Sequence, residues 1–190
     1  MKNAVALKST VFRAELTISD LDREVYETFS LTLARHPSET DERMMIRLLA
    51  FALEADERLS FGGGLSTDDE PDLWRKGFDG TIERWIEVGL PDPKRLKQAM
   101  GRSDAVRVVT YGETKRAPWW QKHAAELRAL GNDLELLYVD DATCAALEGL
   151  TQRSMRLSVT IQDGAAFIND EEGAMVEVRP ERLDPSRTVL

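Results

Sequence analysis

Between residues 81 and 150 the chain alternates between strand-like and helix-like stretches, and this alternation restricts the fold more than any other feature. Residues 81–89 read as a strand. The run Leu90-Pro91-Asp92-Pro93 stops it and opens a helix, with Asp92 placed to cap and Pro93 suited to the first helical position. Residues 105–111 (AVRVVTY) are rich in β-branched side chains and predict a second strand. Residues 118–130 predict a helix closed by Gly131-Asn132, residues 134–139 a third strand, and Asp140 or Asp141 caps a short helix to Leu150. Strands alternating with helices pack as a partly parallel sheet covered by helices.

The flanks add to this unit. Over residues 4–18, Phe12, Ala14, Leu16 and Ile18 alternate with Val11, Arg13, Glu15 and Thr17, and Ser19-Asp20-Leu21-Asp22 reads as a turn. Residues 24–35 offer Tyr26, Phe29, Leu31 and Leu33 for burial, so the two segments predict an antiparallel hairpin. After Pro37, Ser38 and Asp41 make a capping-box-like start to a helix running to about residue 54. Its apolar stripe is Met45, Leu48, Leu49 and Ala52, and Glu39 and Arg43 form a supporting i,i+4 pair. A short strand at 58–61, a loop around Gly62-Gly63-Gly64 and Asp68-Asp69-Glu70, and a turn at Gly77-Phe78-Asp79-Gly80 follow. The tail, 155–178, reads as strands turning at Asp163-Gly164 and near Glu172-Gly173. From residue 38 onward the order is helix, three strands, helix, strand, within one α/β domain over residues 1–190.

Composition narrows the function. A net charge of −9, from 34 acidic and 25 basic residues, argues against broad wrapping of DNA, which needs a concentrated basic surface, but leaves room for a local basic channel. The single cysteine, Cys144, excludes an intramolecular disulfide or a multi-cysteine metal site and is expected to pack as a small buried thiol. No apolar run approaches the roughly 20 residues of a membrane span. The first residues, MKNAVALKSTVFRAEL, are broken by Lys8 and Arg13 and are expected to be neither signal peptide nor anchor. The expected compartment is the cytoplasm, with no membrane partner. His36 and His123 are too few for a histidine-rich metal site and are expected to be structural. Gly62-Gly63-Gly64 lacks the Lys-Ser/Thr ending of a phosphate loop.

The chemistry-bearing feature is a pair of carboxylates. In the strand at 83–89, Glu87 stands between Ile86 and Val88, where burying a carboxylate is costly unless it meets a cation or a metal. Asp72 follows Pro71 on what should be the adjacent strand, so a hairpin can bring Asp72 and Glu87 together. Two such carboxylates suit Mg2+ or Mn2+, which prefers oxygen ligands and can offset charge on a phosphodiester transition state. Asp69 and Glu70 are alternates to Asp72, and read otherwise as a solvated acidic loop.

The stretches SLTLARHPSETDERMMIRLLAFAL, LSTDDEPDLW, WIEVGLPDPKRLKQA and TIQDG resemble the YaeQ family over nearly the whole chain. That family in turn resembles the PD-(D/E)xK nucleases. The resemblance implies a restriction-endonuclease-like core (α-β-β-β-α-β) with an added N-terminal β-hairpin and C-terminal strands. It matches Asp72 to the motif aspartate, Glu87 to the (D/E) and Glu42 to the acidic residue of the first helix. Where the motif has lysine this chain has Gly89, so Lys97, or secondarily Lys94, is expected to supply it from the following helix. Three functions follow as expectations. One is a Mg2+- or Mn2+-dependent nuclease acting on DNA or RNA through Glu42, Asp72, Glu87 and Lys97. Another is a degenerate relative that binds nucleic acid or a protein partner without cutting, using Lys94, Arg95, Lys97 and Arg102 as a basic helix face. The third is an interaction module built on Trp119 and Trp120, residues for which core packing is the competing role.

Overall fold

The computed structural model describes residues 9–63 and 69–185; the start of the predicted first strand (4–8), Gly64 and Asp68 lie outside them. Strands β1 (Thr10–Asp20) and β2 (Val25–Arg35) form the expected antiparallel hairpin, in register from Thr10 opposite Arg35 to Asp20 opposite Val25. Its turn falls later than the sequence suggests. Asp20 stays in the strand as a buried carboxylate that accepts from the Asp22 and Arg23 amides (both 3.0 Å) and from Arg23 Nε (2.6 Å), and Glu24 closes the turn at a φ of 58°.

Helix α1 (Asp41–Leu53) follows, then β3 (Leu59–Phe61), β4 (Leu73–Lys76), β5 (Ile82–Val88), α2 (Pro93–Met100) and β6 (Ser103–Tyr111). The predicted order of helix, three strands, helix, strand is therefore present. The chain continues through α3 (Glu113–Ala129), β7 (Leu134–Val139), α4 (Asp141–Gly149), β8 (Ser154–Gln162), β9 (Ala165–Asp170), β10 (Met175–Val178) and β11 (Glu181–Leu183). These elements make a mixed α/β fold with two sheets. One has the order β10-β9-β8-β1-β2, in which β1 pairs with β8 in parallel; the other has the order β11-β7-β6-β5-β4-β3, with β5, β6 and β7 parallel and antiparallel strands at both edges.

Two cores result. Leu96 and Ala99 of α2 and Trp120 and Leu127 of α3 pack on Trp85, Val106, Val108 and Leu136, covering one face of the six-stranded sheet. On its other face α1 and α4 meet Ile86, Val88, Val109 and Val139, while the apolar rows of β1, β8 and β9 close over them from the second sheet. Sandwiched in this way, α1 is buried on all sides, from Met44 through Ala52. The single stripe expected from the sequence covers only one of its two apolar faces. Among the described residues no helix is long and apolar enough to cross a membrane.

Two helix starts differ from expectation. Thr40, not Ser38, caps α1: its hydroxyl accepts the Arg43 amide at 3.1 Å, while the Ser38 hydroxyl lies 2.6 Å from His36 Nδ1. Helix α3 begins at Glu113 rather than Pro118, because Gly112 at a φ of 77° turns the chain out of β6 early enough to seat a further turn. Pro118 then lies within the helix and leaves the exposed Thr114 carbonyl without its i+4 donor. By contrast, Asp92 caps α2 through the Lys94 amide (2.8 Å) ahead of Pro93, as expected.

One charged group lies deep against α1. Glu39 accepts from Arg47 Nε (2.7 Å) and Nη2 (2.8 Å) and from Arg43 Nη1 (2.9 Å), and Arg47 Nη2 also donates to the Ala34 carbonyl (3.2 Å). With side-chain exposures of 6% for Arg47 and 2% for Glu39, neither charge can recover its hydration if the other is removed. Arg47→Ala is expected to lower the unfolding free energy by about 3–5 kcal/mol in chemical denaturation. Arg13→Ala, on the exposed side of β1, should change it by no more than ~0.5 kcal/mol.

Candidate functional site

Open α/β sheets leave a crevice beyond the carboxyl ends of their parallel strands. Here β5, β6 and β7 end at a cleft of about 650 Å³. Its wall comes from the turn after β5 (Val88 to Pro91), Tyr111 and Gly112 after β6, Thr114 and Lys115 of α3, and Asp141 of α4. Glu42 and Arg43 enter from the first turn of α1, and Arg95 from α2.

Asp72 and Glu87 complete the lining. Leu73 pairs with Ile86, so the antiparallel register sets Asp72 beside Glu87 at the end of the two strands. Both are buried, with exposures of 1% and 5%. Each carboxylate is engaged by an arginine. Arg43 Nη2 donates to Asp72 Oδ1 (2.7 Å) and Oδ2 (2.9 Å), and the Val88 amide donates to Oδ2 at 2.8 Å. Glu87 Oε1 accepts from the Trp85 indole (2.7 Å) and from Arg95 Nε (2.8 Å), while Arg95 Nη2 reaches the Glu70 carbonyl at 2.8 Å.

The electrostatics follow from this crowding. Burial raises the Glu87 carboxyl above the ordinary glutamate value and the nearby Asp72 charge adds to the rise, against the opposing pull of Trp85 and Arg95. Burial by itself depresses the Arg43 pKa, but Asp72 and Glu39 outweigh it and hold the guanidinium more firmly charged. Glu42 is raised by partial burial and by Glu148 and Asp141, with Lys115 opposing. The Tyr111 hydroxyl is pushed up to about 12, chiefly by burial and further by Glu42, so it stays protonated as a hydrogen-bond donor.

The remaining candidates fall elsewhere. Lys97 and Lys94 are exposed on α2 and do not line the cleft; of that helix only Arg95 does. Gly89, which the resemblance sets where the motif has lysine, has a φ of 106°, a backbone conformation that disfavours any side chain there. Lys115 is the lysine that reaches the cleft, and neither it nor Arg43 is marked by proximity to the carboxylates in sequence. A readable signal for Arg43 does exist, since an arginine at the head of an almost wholly apolar helix needs a buried carboxylate. Asp69 is exposed, and the Glu70 side chain accepts the Gly63 amide at 2.7 Å. Neither tryptophan is an exposed stacking platform: Trp120 is buried in the core and half-buried Trp119 donates to the Pro91 carbonyl (3.0 Å), bracing the cleft wall. His36 lies with Ser38 at the end of the hairpin, His123 is buried beside Glu126, and Cys144 is buried as expected.

The oxygens of Asp72, Glu87 and the Val88 backbone are the kind that Mg2+ or Mn2+ prefers. The place where three of them converge is taken, however. Arg43 Nη2 is bracketed by both Asp72 oxygens and by the Val88 carbonyl at 3.3 Å. Among the described residues no set of three or more histidine, cysteine, aspartate or glutamate side chains is arranged to hold a metal ion. As arranged, these residues do not fit a resident divalent ion, and the cations bonded to Asp72 and Glu87 are guanidinium groups.

Comparison with known proteins places this chain in a family. Residues 5–179 match the model of the YaeQ protein family. The YaeQ protein of Salmonella typhi is 45% identical over 166 residues, covering 87% of this chain and 91% of that one; the Escherichia coli K12 protein is 44% identical over 168 residues, covering 88% and 92%. The crystal structure of the YaeQ protein from Xanthomonas axonopodis pv. citri superimposes with a TM-score of 0.86 at 49% identity, over 92% of this chain and 97% of that one. The Pseudomonas syringae YaeQ structure gives a TM-score of 0.87 at 39% identity, over 93% and 96%. The chain belongs to the YaeQ family.

Proposed function

We propose that the cleft binds a nucleic-acid strand, DNA or RNA, through its phosphodiester backbone and does not cut it, as a PD-(D/E)xK-like protein whose catalytic set has been replaced. The observation that carries this reading is the pairing of each motif carboxylate with an arginine, Asp72 with Arg43 and Glu87 with Arg95. The order from α1 through β6 supports the nuclease-like descent, and Gly89 removes the lysine that hydrolysis would use. Beside the cleft, α2 presents exposed Lys94 and Lys97, with Arg102 just beyond its end. A local basic strip of this kind can hold phosphates although the whole chain carries −9.

A second reading, a Mg2+- or Mn2+-dependent phosphodiesterase, is favoured by the side-by-side placement of Asp72 and Glu87 in one cleft. In that reading Glu42, Asp72 and Glu87 hold the metal and Lys97 stabilises charge, which requires Arg43 to leave Asp72 and Lys97 to reach the cleft.

Measured together, Mn2+ calorimetry and cleavage of labelled oligonucleotides separate the two. The non-cutting reading expects neither metal binding nor cleavage by the wild type, alongside oligonucleotide binding in a fluorescence assay. Metal binding and cleavage that both vanish in Glu87→Ala would establish the phosphodiesterase instead. Lys94→Glu combined with Lys97→Glu is expected to weaken oligonucleotide binding about tenfold and to reduce the dependence of log Kd on log salt by ~1–2.

Glu87 adds a pH signature. Because its pKa is raised, it takes up a proton at a higher pH than an exposed glutamate does, which removes the negative charge set against Arg95. The cleft then becomes more attractive to phosphate while Arg95 keeps its bond to the Glu70 carbonyl. Oligonucleotide affinity is therefore expected to rise as pH falls through that raised pKa. Glu87→Gln should bind tightly already at neutral pH and lose this part of the pH dependence; a variant that loses binding altogether would count against the proposed role of Glu87.

A further inference from the structure

We infer that the Arg43 guanidinium is a built-in cation standing where a divalent metal would be coordinated, so that removing it opens an Mg2+ or Mn2+ site on Asp72 and the Val88 carbonyl, with Glu87 alongside. Nη2 sits among three oxygens: Asp72 Oδ1 at 2.7 Å, Asp72 Oδ2 at 2.9 Å and the Val88 carbonyl at 3.3 Å. The other arm, Nη1, is tied back to Glu39 at 2.9 Å, so the group is held from both sides. A nitrogen cation surrounded by carboxylate and carbonyl oxygens reproduces the donor set that a hard divalent ion takes.

Charge counting points the same way. Arg43, Arg47 and Arg95 face the three buried carboxylates Glu39, Asp72 and Glu87, one guanidinium for each, so at Asp72 a divalent ion finds its charge already matched; elsewhere the cleft lining adds Glu42 and Asp141 against Lys115. Without the Arg43 head group, buried Asp72 loses its partner and an uncompensated charge remains. A divalent ion can then offset that charge, drawing its remaining ligands as water from the adjoining cleft. This inference shares with the non-cutting reading the premise that the wild-type site excludes metal. Its readout is the metal alone, so it can fail while nucleic-acid binding stands, and it can hold where no nucleic acid binds.

The test compares the wild type, Arg43→Met, which keeps the apolar stem, and Arg43→Met with Asp72→Asn. Each is titrated with Mn2+ by calorimetry and melted with and without the ion. The expected result is no binding by the wild type and about one Mn2+ per chain in Arg43→Met. The Tm of that variant should rise by ~5–10 °C at a Mn2+ concentration about a hundredfold above its Kd. Both effects should be lost in the double variant. Four outcomes would overturn the inference: binding by the wild type as tight as by the variant, a folded Arg43→Met that binds no metal, a variant that stays unfolded in saturating Mn2+, or a double variant that binds as well as the single one.

Discussion

The Glu39 carboxylate is the point on which the cleft depends. It accepts from Arg47 Nε and Nη2 and from Arg43, and the His36 amide lies 3.3 Å from its second oxygen. Arg47 is in turn bonded to the Ala34 carbonyl of the hairpin, and Arg43 to Asp72. One buried anion thus fixes the end of the first hairpin, the first turns of α1 and, through Arg43, the carboxylate beside Glu87. Buried ion pairs contribute little net stability when complete, but they penalise every arrangement in which one member is unmatched. What this network supplies is position: Arg43 is held where it can meet Asp72 and Val88 together.

The far end of the same helix uses a comparable device. Glu54, the C-cap of α1, lies 2.6 Å from Arg107 and 3.0 Å from Arg84, and Arg107 continues to Glu135 at 2.6 Å. These arginines stand on the α1-facing side of the sheet, Arg84 near the start of β5 and Arg107 midway along β6. Close packing already resists axial sliding of a helix wrapped in apolar side chains, and directional charged contacts add a specific register to the non-directional apolar ones. Charged contacts at both ends thus help to set the axial position of Glu42 and Arg43 at the cleft.

Much of this was legible in the sequence, and the limits have physical reasons. The hairpin, the Asp92 cap, the parallel strands and the adjacency of Asp72 and Glu87 follow from local period, turn chemistry and strand pairing. The family resemblance carried the alignment of Asp72, Glu87 and Glu42. The partners of the carboxylates were not legible. Arg43 lies on another element, and Arg95 looked like one of several basic residues on α2, because a short helix cannot tell from sequence which of its faces meets a strand end. Lys97, or secondarily Lys94, is expected from the helix that follows the strand, whereas the cleft gathers the ends of β5, β6 and β7 and takes Lys115 from the start of α3. The all-round burial of α1 escaped the stripe because its second covering sheet is completed by β8, β9 and β10, far downstream.

The parallel pairing of β1 with β8 has a consequence for how the molecule is made. Arg13 is matched to Ser154 and Asp20 to Ile161, so one edge of the first hairpin stays open until most of the chain has left the ribosome. Until then α1, apolar on every side, has a cover on at most one of them. Contacts between distant parts of a chain are the slow ones to form, and an unpaired strand edge beside exposed apolar surface invites wrong pairing in the interval. The five-stranded sheet can therefore close over the helix layer only after β8 has been made.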